Sequence, residues 1–91
     1  MEFEWDYKKA VTNAKKHSVT FDEAITCFYD SHQIAFYDPD HSNKEDREIM
    51  ITRSNRHRVL LTCYTIRGEK IRVISARLAT KQEIKDYDSG I

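Results

Sequence analysis

Three observations predict an α+β fold, with two N-terminal helices, an antiparallel β-sheet meander and a short C-terminal helix. Apolar residues recur at helical spacing up to about residue 29 and at every second position after that. The helix-start residues Asp6, Thr20 and Thr80 all lie outside the strand-like stretch. The strand-like runs are joined by short connections rich in turn-forming residues. Elements segregated in this way pack helices on one sheet face and leave the other for solvent or function.

Phe3-Glu4-Trp5 alternates like a short edge strand. Asp6 caps a helix over about 7–16, in which Tyr7, Ala10, Val11 and Ala14 make a narrow apolar stripe and lysines take the remaining surface. Thr20 with Glu23 reads as a capping box, and Val19 with Ala24 as its hydrophobic staple. The helix over about 21–29 places Phe21, Ala24, Ile25 and Phe28 on one face. Both helices are short and need a larger surface to dock on.

Strands are expected over 33–37, 47–52, 57–65 and 70–77. Asp38-Pro39-Asp40-His41-Ser42 supplies the first connection, Ser54-Asn55 the second and Ile66-Arg67-Gly68-Glu69 the third. Thr80 and Glu83 form a second capping box, opening a helix over about 81–88 that bears Ile84 and Tyr87.

The 91 residues suit one small domain over 1–91, with 40% hydrophobic and 33% charged content. No apolar run approaches membrane-spanning length, and the start MEFEWDYKK lacks a signal-peptide core, so a cytoplasmic protein with no membrane contact is expected. Cys27 and Cys63 read as buried thiols. His17, His32, His41 and His57 have no zinc-ligand spacing, and neither metal nor cofactor is expected.

Charge is uneven although the total is zero. Between Arg53 and Arg77 stand six arginines and Lys70 against Glu69 alone. The guanidinium fork fits phosphate, so this segment points to a polyanion or an acidic partner. Register decides which arginines share a face. A two-residue loop at Arg67-Gly68 pairs Arg58 with Arg77 and Cys63 with Arg72; a three-residue loop at Ile66-Arg67-Gly68 pairs Arg72 with Thr62. The second is favoured, because it keeps Arg72 away from a core face of Val59, Leu61, Cys63, Ile71 and Val73. It gathers Arg58, Thr62, Tyr64 and Arg72 on an open face suited to RNA, with guanidinium groups on phosphates and the ring stacked on a base. His17 and His41 are possible proton carriers, each with an equally ordinary structural use.

Phe3-Glu4-Trp5-Asp6, Asn13 with Lys16-His17, Val19-x-Phe21-x-Glu23-Ala24, Asp40-His41-Ser42 with Glu45 and Arg47, and Ile71-Arg72-Val73-Ile74-Ser75-Ala76-Arg77 occur in order. Together they resemble the BrnT family of bacterial type II toxins. The resemblance implies a fold like the RelE-like ribonuclease toxins, RNA cleavage and arrest of translation; with no carboxylate or histidine metal cluster in the sequence, the cleavage is expected to be metal-independent. It also implies a BrnA-like antitoxin with a ribbon-helix-helix domain, through which alone operator DNA would be bound. In such a toxin Arg72 and Arg77 would hold the scissile phosphate, and His17, His41 and Tyr87 would transfer protons or position groups. Lys16, Arg58, Tyr64 and Arg67 would contact RNA. The family usually has Gly where this chain has Ser18 and His57. A non-catalytic protein- or nucleic-acid-binding module is the alternative.

Overall fold

The computed structural model describes residues 1–37 and 47–90. The Asp38–Ser42 connection, with His41, and the Glu45 side chain lie outside the described residues. In chain order the elements are β1 (Glu2–Glu4), α1 (Tyr7–His17), α2 (Phe21–Thr26) continued by a 3₁₀ turn (Cys27–Tyr29), β2 (Ile34–Tyr37), β3 (Arg47–Arg53), β4 (Val59–Arg67), β5 (Lys70–Leu78) and α3 (Lys81–Ser89).

The strands form one sheet in the order β1-β5-β4-β3-β2. β2 to β5 make the antiparallel meander. β1 differs: it runs parallel to β5, with Glu4 opposite Arg72, so the sheet is mixed. A parallel neighbour is joined through a long crossover and not a turn, so no local signal in the sequence reveals it.

Each helix starts where a side-chain oxygen meets an orphan N–H. Asp6 accepts from the Lys9 N–H at 3.1 Å, and Lys15, Lys16 and His17 complement the dipole in the last turn. Thr20 accepts from the Glu23 N–H at 3.1 Å, but the expected capping box is only half made. The Glu23 carboxylate turns to Ser54 at 2.6 Å and to Arg58 instead. A buried carboxylate gains more from a charged partner than from a backbone N–H. At α3 the box is complete, with Thr80 accepting from the Glu83 N–H and Glu83 accepting from the Thr80 N–H.

Val19, Phe21, Ala24 and Cys27 pack on Met50, Leu60, Tyr64, Val73 and Ala76 of one sheet face. Phe28 links Phe3 and Tyr64 through ring centroids 5.1 Å and 5.0 Å apart, an edge-on arrangement for the second pair. Tyr7 and Val11, expected to be buried, are exposed, while Asn13 is buried in their place. Its amide takes the role of a strand at the outer edge of β5, beyond β1: Nδ2 donates to Ala76 O at 2.8 Å and Val19 O at 2.9 Å, and Oδ1 accepts from the Ala76 N–H at 3.1 Å.

Both hairpin registers expected from the sequence are overturned. The loop is Gly68-Glu69, with Arg67 opposite Lys70 and Gly68 at φ +60°, as a primed two-residue turn requires. Arg72 therefore faces Thr65, and Arg77 faces Leu61. The pairing then shifts between Cys63 and Tyr64, so that Tyr64 meets Val73 but Cys63 meets Ser75. The extra residue, Ile74, is a bulge that lets both Val73 and Ala76 reach the core. Thr62 and Tyr64, placed on the open face by the sequence reading, are core residues. Val59, Leu61 and Cys63 alternate onto the other face.

Candidate functional site

Strand pairing sets Arg53, Arg72 and Arg77 on the face opposite α1 and α2. Arg47, Thr65 and Arg72 lie directly across three strands, as do Ile51, Leu61 and Arg77, and Arg53 lies opposite Val59. Arg67 ends β4 on the same face, at the hairpin tip. α3 crosses one end of this face. Glu83 reaches Arg77 on β5, and Tyr87, one turn later, meets Arg53 on β3.

Arg77 is gripped end-on. Its Nη1 and Nη2 donate to the two Glu83 oxygens at 2.8 Å and 3.0 Å, and Nη1 also donates to Leu78 O at 3.2 Å. A guanidinium has five N–H donors, so Nε–H and the second Nη2–H form a side-on fork that meets no partner among the described residues. The Glu83 bond raises the Arg77 pKa, and the Arg77 bond lowers that of Glu83. Arg72 donates from Nη1 to Glu4 at 2.7 Å.

Tyr87 donates to Asp30 Oδ2 at 2.6 Å, and that oxygen also accepts from the Arg53 N–H at 2.9 Å. The Arg53 guanidinium carbon lies 5.6 Å from the Tyr87 ring centroid, a cation–π contact. Burial, then the bond to Asp30, raises the Tyr87 pKa, so the phenol keeps its proton at neutral pH. Burial pushes Asp30 up, but the bonds from Tyr87 and the Arg53 and His32 N–H groups outweigh it and leave it lowered. His32, Gln33, Ile34, Arg53, Tyr87 and Asp88 help line a cavity of about 540 Å³ beside this cluster.

The expected site residues therefore separate. Arg72, Arg77, Tyr87 and Arg67 share the α3 side of the sheet. Lys16 and His17 line a groove on α1, on the other side. Arg58 is occupied with buried Glu23 and with Ser18 O. Tyr64 is 7% exposed and its pKa is pushed up to about 12 by burial, so it offers no stacking surface. His41 lies outside the described residues. Burial also pushes the Cys27 thiol up to about 11, which makes it a poor nucleophile. Arg53, Asp30 and His32 were not singled out as site residues in the sequence; Asp30 and His32 sit in a connection whose packing no periodicity marks.

The family model described as the ribonuclease toxin BrnT of type II toxin-antitoxin systems matches residues 5–83. The chain belongs to the BrnT family. A crystal structure of the Brucella abortus ribonuclease toxin BrnT is similar at 27% identity and a TM-score of 0.65, over 89% of this chain and 99% of that one. No curated protein matches the chain. This BrnT-family protein is thus a ribonuclease toxin of a type II system, with an antitoxin as its partner. No helix among its described residues is long and apolar enough to cross a membrane.

Proposed function

We propose that this toxin cleaves single-stranded RNA without a metal ion, on the sheet face flanked by α3, and so arrests translation in the cytoplasm. The observation that carries this reading is the open side-on fork of Arg77, whose other edge is fixed by Glu83. Two parallel N–H donors match two phosphoryl oxygens. Fixed in advance, they stabilise the charge that grows as the 2′-OH attacks. Arg72 adds its remaining donors from the same strand. Tyr87, held protonated on Asp30, positions Arg53 at the rim, and His32 lines the adjoining cavity.

Metal independence belongs to this reading, in which Arg77 and Arg72 take the charge-stabilising role that a metal ion would otherwise fill. The partner in this reading is a BrnA-like antitoxin whose ribbon-helix-helix domain, and not the toxin, binds operator DNA. The helix-flanked meander is compatible with a RelE-like toxin.

Purified protein incubated with single-stranded RNA in EDTA tests the reading. Cleavage should proceed at the rate seen with magnesium, and a single 2′-deoxy substitution should block it at that linkage. Activity that disappears in EDTA and returns with magnesium would overturn metal independence. An absence of cleavage under both conditions would favour the binding-module alternative.

A further inference from the structure

We infer that the groove between α1 and the outer edge of β5 is a phosphate-binding subsite that holds RNA backbone away from the cleaved bond. The inference rests on the RNA-cleavage reading above. The groove encloses about 330 Å³ and is lined by Lys8, Lys9, Lys16 and His17 of α1, with Thr12 beside them and Ser75 from the bulged stretch of β5 opposite. Among the described residues no carboxylate lines it.

The distribution of ion pairs is the main argument. Arg56 and Arg58 are matched by Glu23, Arg72 by Glu4 and Arg77 by Glu83. The groove cations make no such pair among the described residues. α1 carries four lysines and no acid from Tyr7 to His17, and Asp6 is engaged in capping. Four of the six hairpin arginines thus face a carboxylate, whereas among the described residues the lysines that line the groove form no ion pair.

The groove also has the extent of a backbone track. Lys8 and Lys16 are two helical turns apart, about 12 Å along the axis, with Thr12 midway between them. It adjoins the proposed cleavage face, because Glu4 pairs with Arg72 and α1 begins three residues later. An RNA strand leaving Arg72 at the sheet edge meets Lys8 and Lys9 next.

The test is binding of a 2′-O-methyl decanucleotide, which cannot be cleaved, to wild type, to Lys8→Gln/Lys9→Gln/Lys16→Gln and to Lys15→Gln. Lys15 belongs to the same helix but does not line the groove. The triple variant should bind at least about tenfold more weakly, and its dependence of log affinity on log salt should be shallower by roughly 2, about 0.7 for each lost phosphate contact. Lys15→Gln should change the slope by less than about half a unit. Equal slopes for all three proteins, or no binding by wild type, would overturn the subsite. So would a triple variant that binds RNA normally but loses its antitoxin, since the groove would then be a protein contact. Because nothing is cleaved in this assay, its outcome is independent of the cleavage test.

Discussion

Glu23 and Arg58 form a buried forked pair between the first turn of α2 and the start of β4. Arg58 donates from both Nε and Nη2, and Ser54 adds a third hydrogen bond to the same carboxylate. The pair ties the β3–β4 turn to the helices. Its partners are unequal, with side chains 27% exposed for Arg58 and 3% for Glu23. Removing Arg58 leaves the buried carboxylate with Ser54 and the more distant Arg56, 3.7 Å away and largely exposed. Arg58→Ala should therefore destabilise the fold by about 3 kcal/mol, a large part of the stability of a small domain. Urea unfolding should show this loss. An Arg58→Ala protein of normal stability but weakened RNA binding would restore Arg58 to the RNA surface.

Acid should unfold the protein through the same carboxylates. The Arg58 bond lowers the Glu23 pKa, and the Arg77 bond lowers that of Glu83, both from an ordinary 4.5. On acidification the unfolded chain takes up these protons first. The stabilisation is complete above pH 4.5 and is lost as the pH falls through the folded-state values. Unfolding midpoints measured from neutral pH downward should stay level until about pH 5 and then fall steeply. In Glu83→Gln the fall should be shallower. An unchanged slope in that variant would remove Glu83 from the account.

Ser18 and His57 are the non-glycine residues with positive φ among those described, at 56° and 62°. These are the two positions at which the resemblance to the family leads to an expectation of glycine. A side chain in the left-handed region costs roughly 1 kcal/mol or more, while glycine loosens the unfolded chain by somewhat less. Ser18→Gly and His57→Gly should each raise stability by about 0.5 kcal/mol, or roughly 2–4 °C in Tm for a domain of this size. Differential scanning calorimetry gives the sign directly, and a lower Tm for both variants would contradict the strain.

Arg77→Ala and Arg72→Ala should each slow RNA cleavage by roughly a hundredfold or more. Lysine at either position should recover only part of the rate, because charge returns without the fork. Both guanidinium groups are partly exposed, so these variants should remain folded, as circular dichroism would show. Wild-type rates in folded Ala variants would move the phosphate site elsewhere on the face.

The fold was legible in the sequence where its cause is local. Asp6, Thr20 and Thr80 mark helix starts with one side-chain oxygen each, and all three were readable. The switch to alternation located the meander. Register was not legible, because the bulge at Ile74 inverts the facing of everything beyond it and leaves no mark on the apolar pattern. That one residue sets Arg72 and Arg77, five positions apart on β5, on the same face. The ion pairs were hidden for another reason: Glu4 and Arg72, or Glu23 and Arg58, meet only after the chain has folded. A count of arginines therefore located the basic hairpin and misjudged its free charge.

Asn13 has a consequence for association between copies of the chain. A sheet with two bare edges can template a fibre, adding one molecule on each side without limit. Here β1 is three residues long, too short to template much, and the Asn13 amide occupies the Ala76 N–H and C=O that the rest of that edge would offer. Among the described residues this leaves β2 at the far end of the sheet as the side open to another strand. Growth from one side alone closes after two molecules. Asn13 thus blunts that side of the sheet at Ala76, and Asn13→Leu should scatter more light on storage than the parent chain.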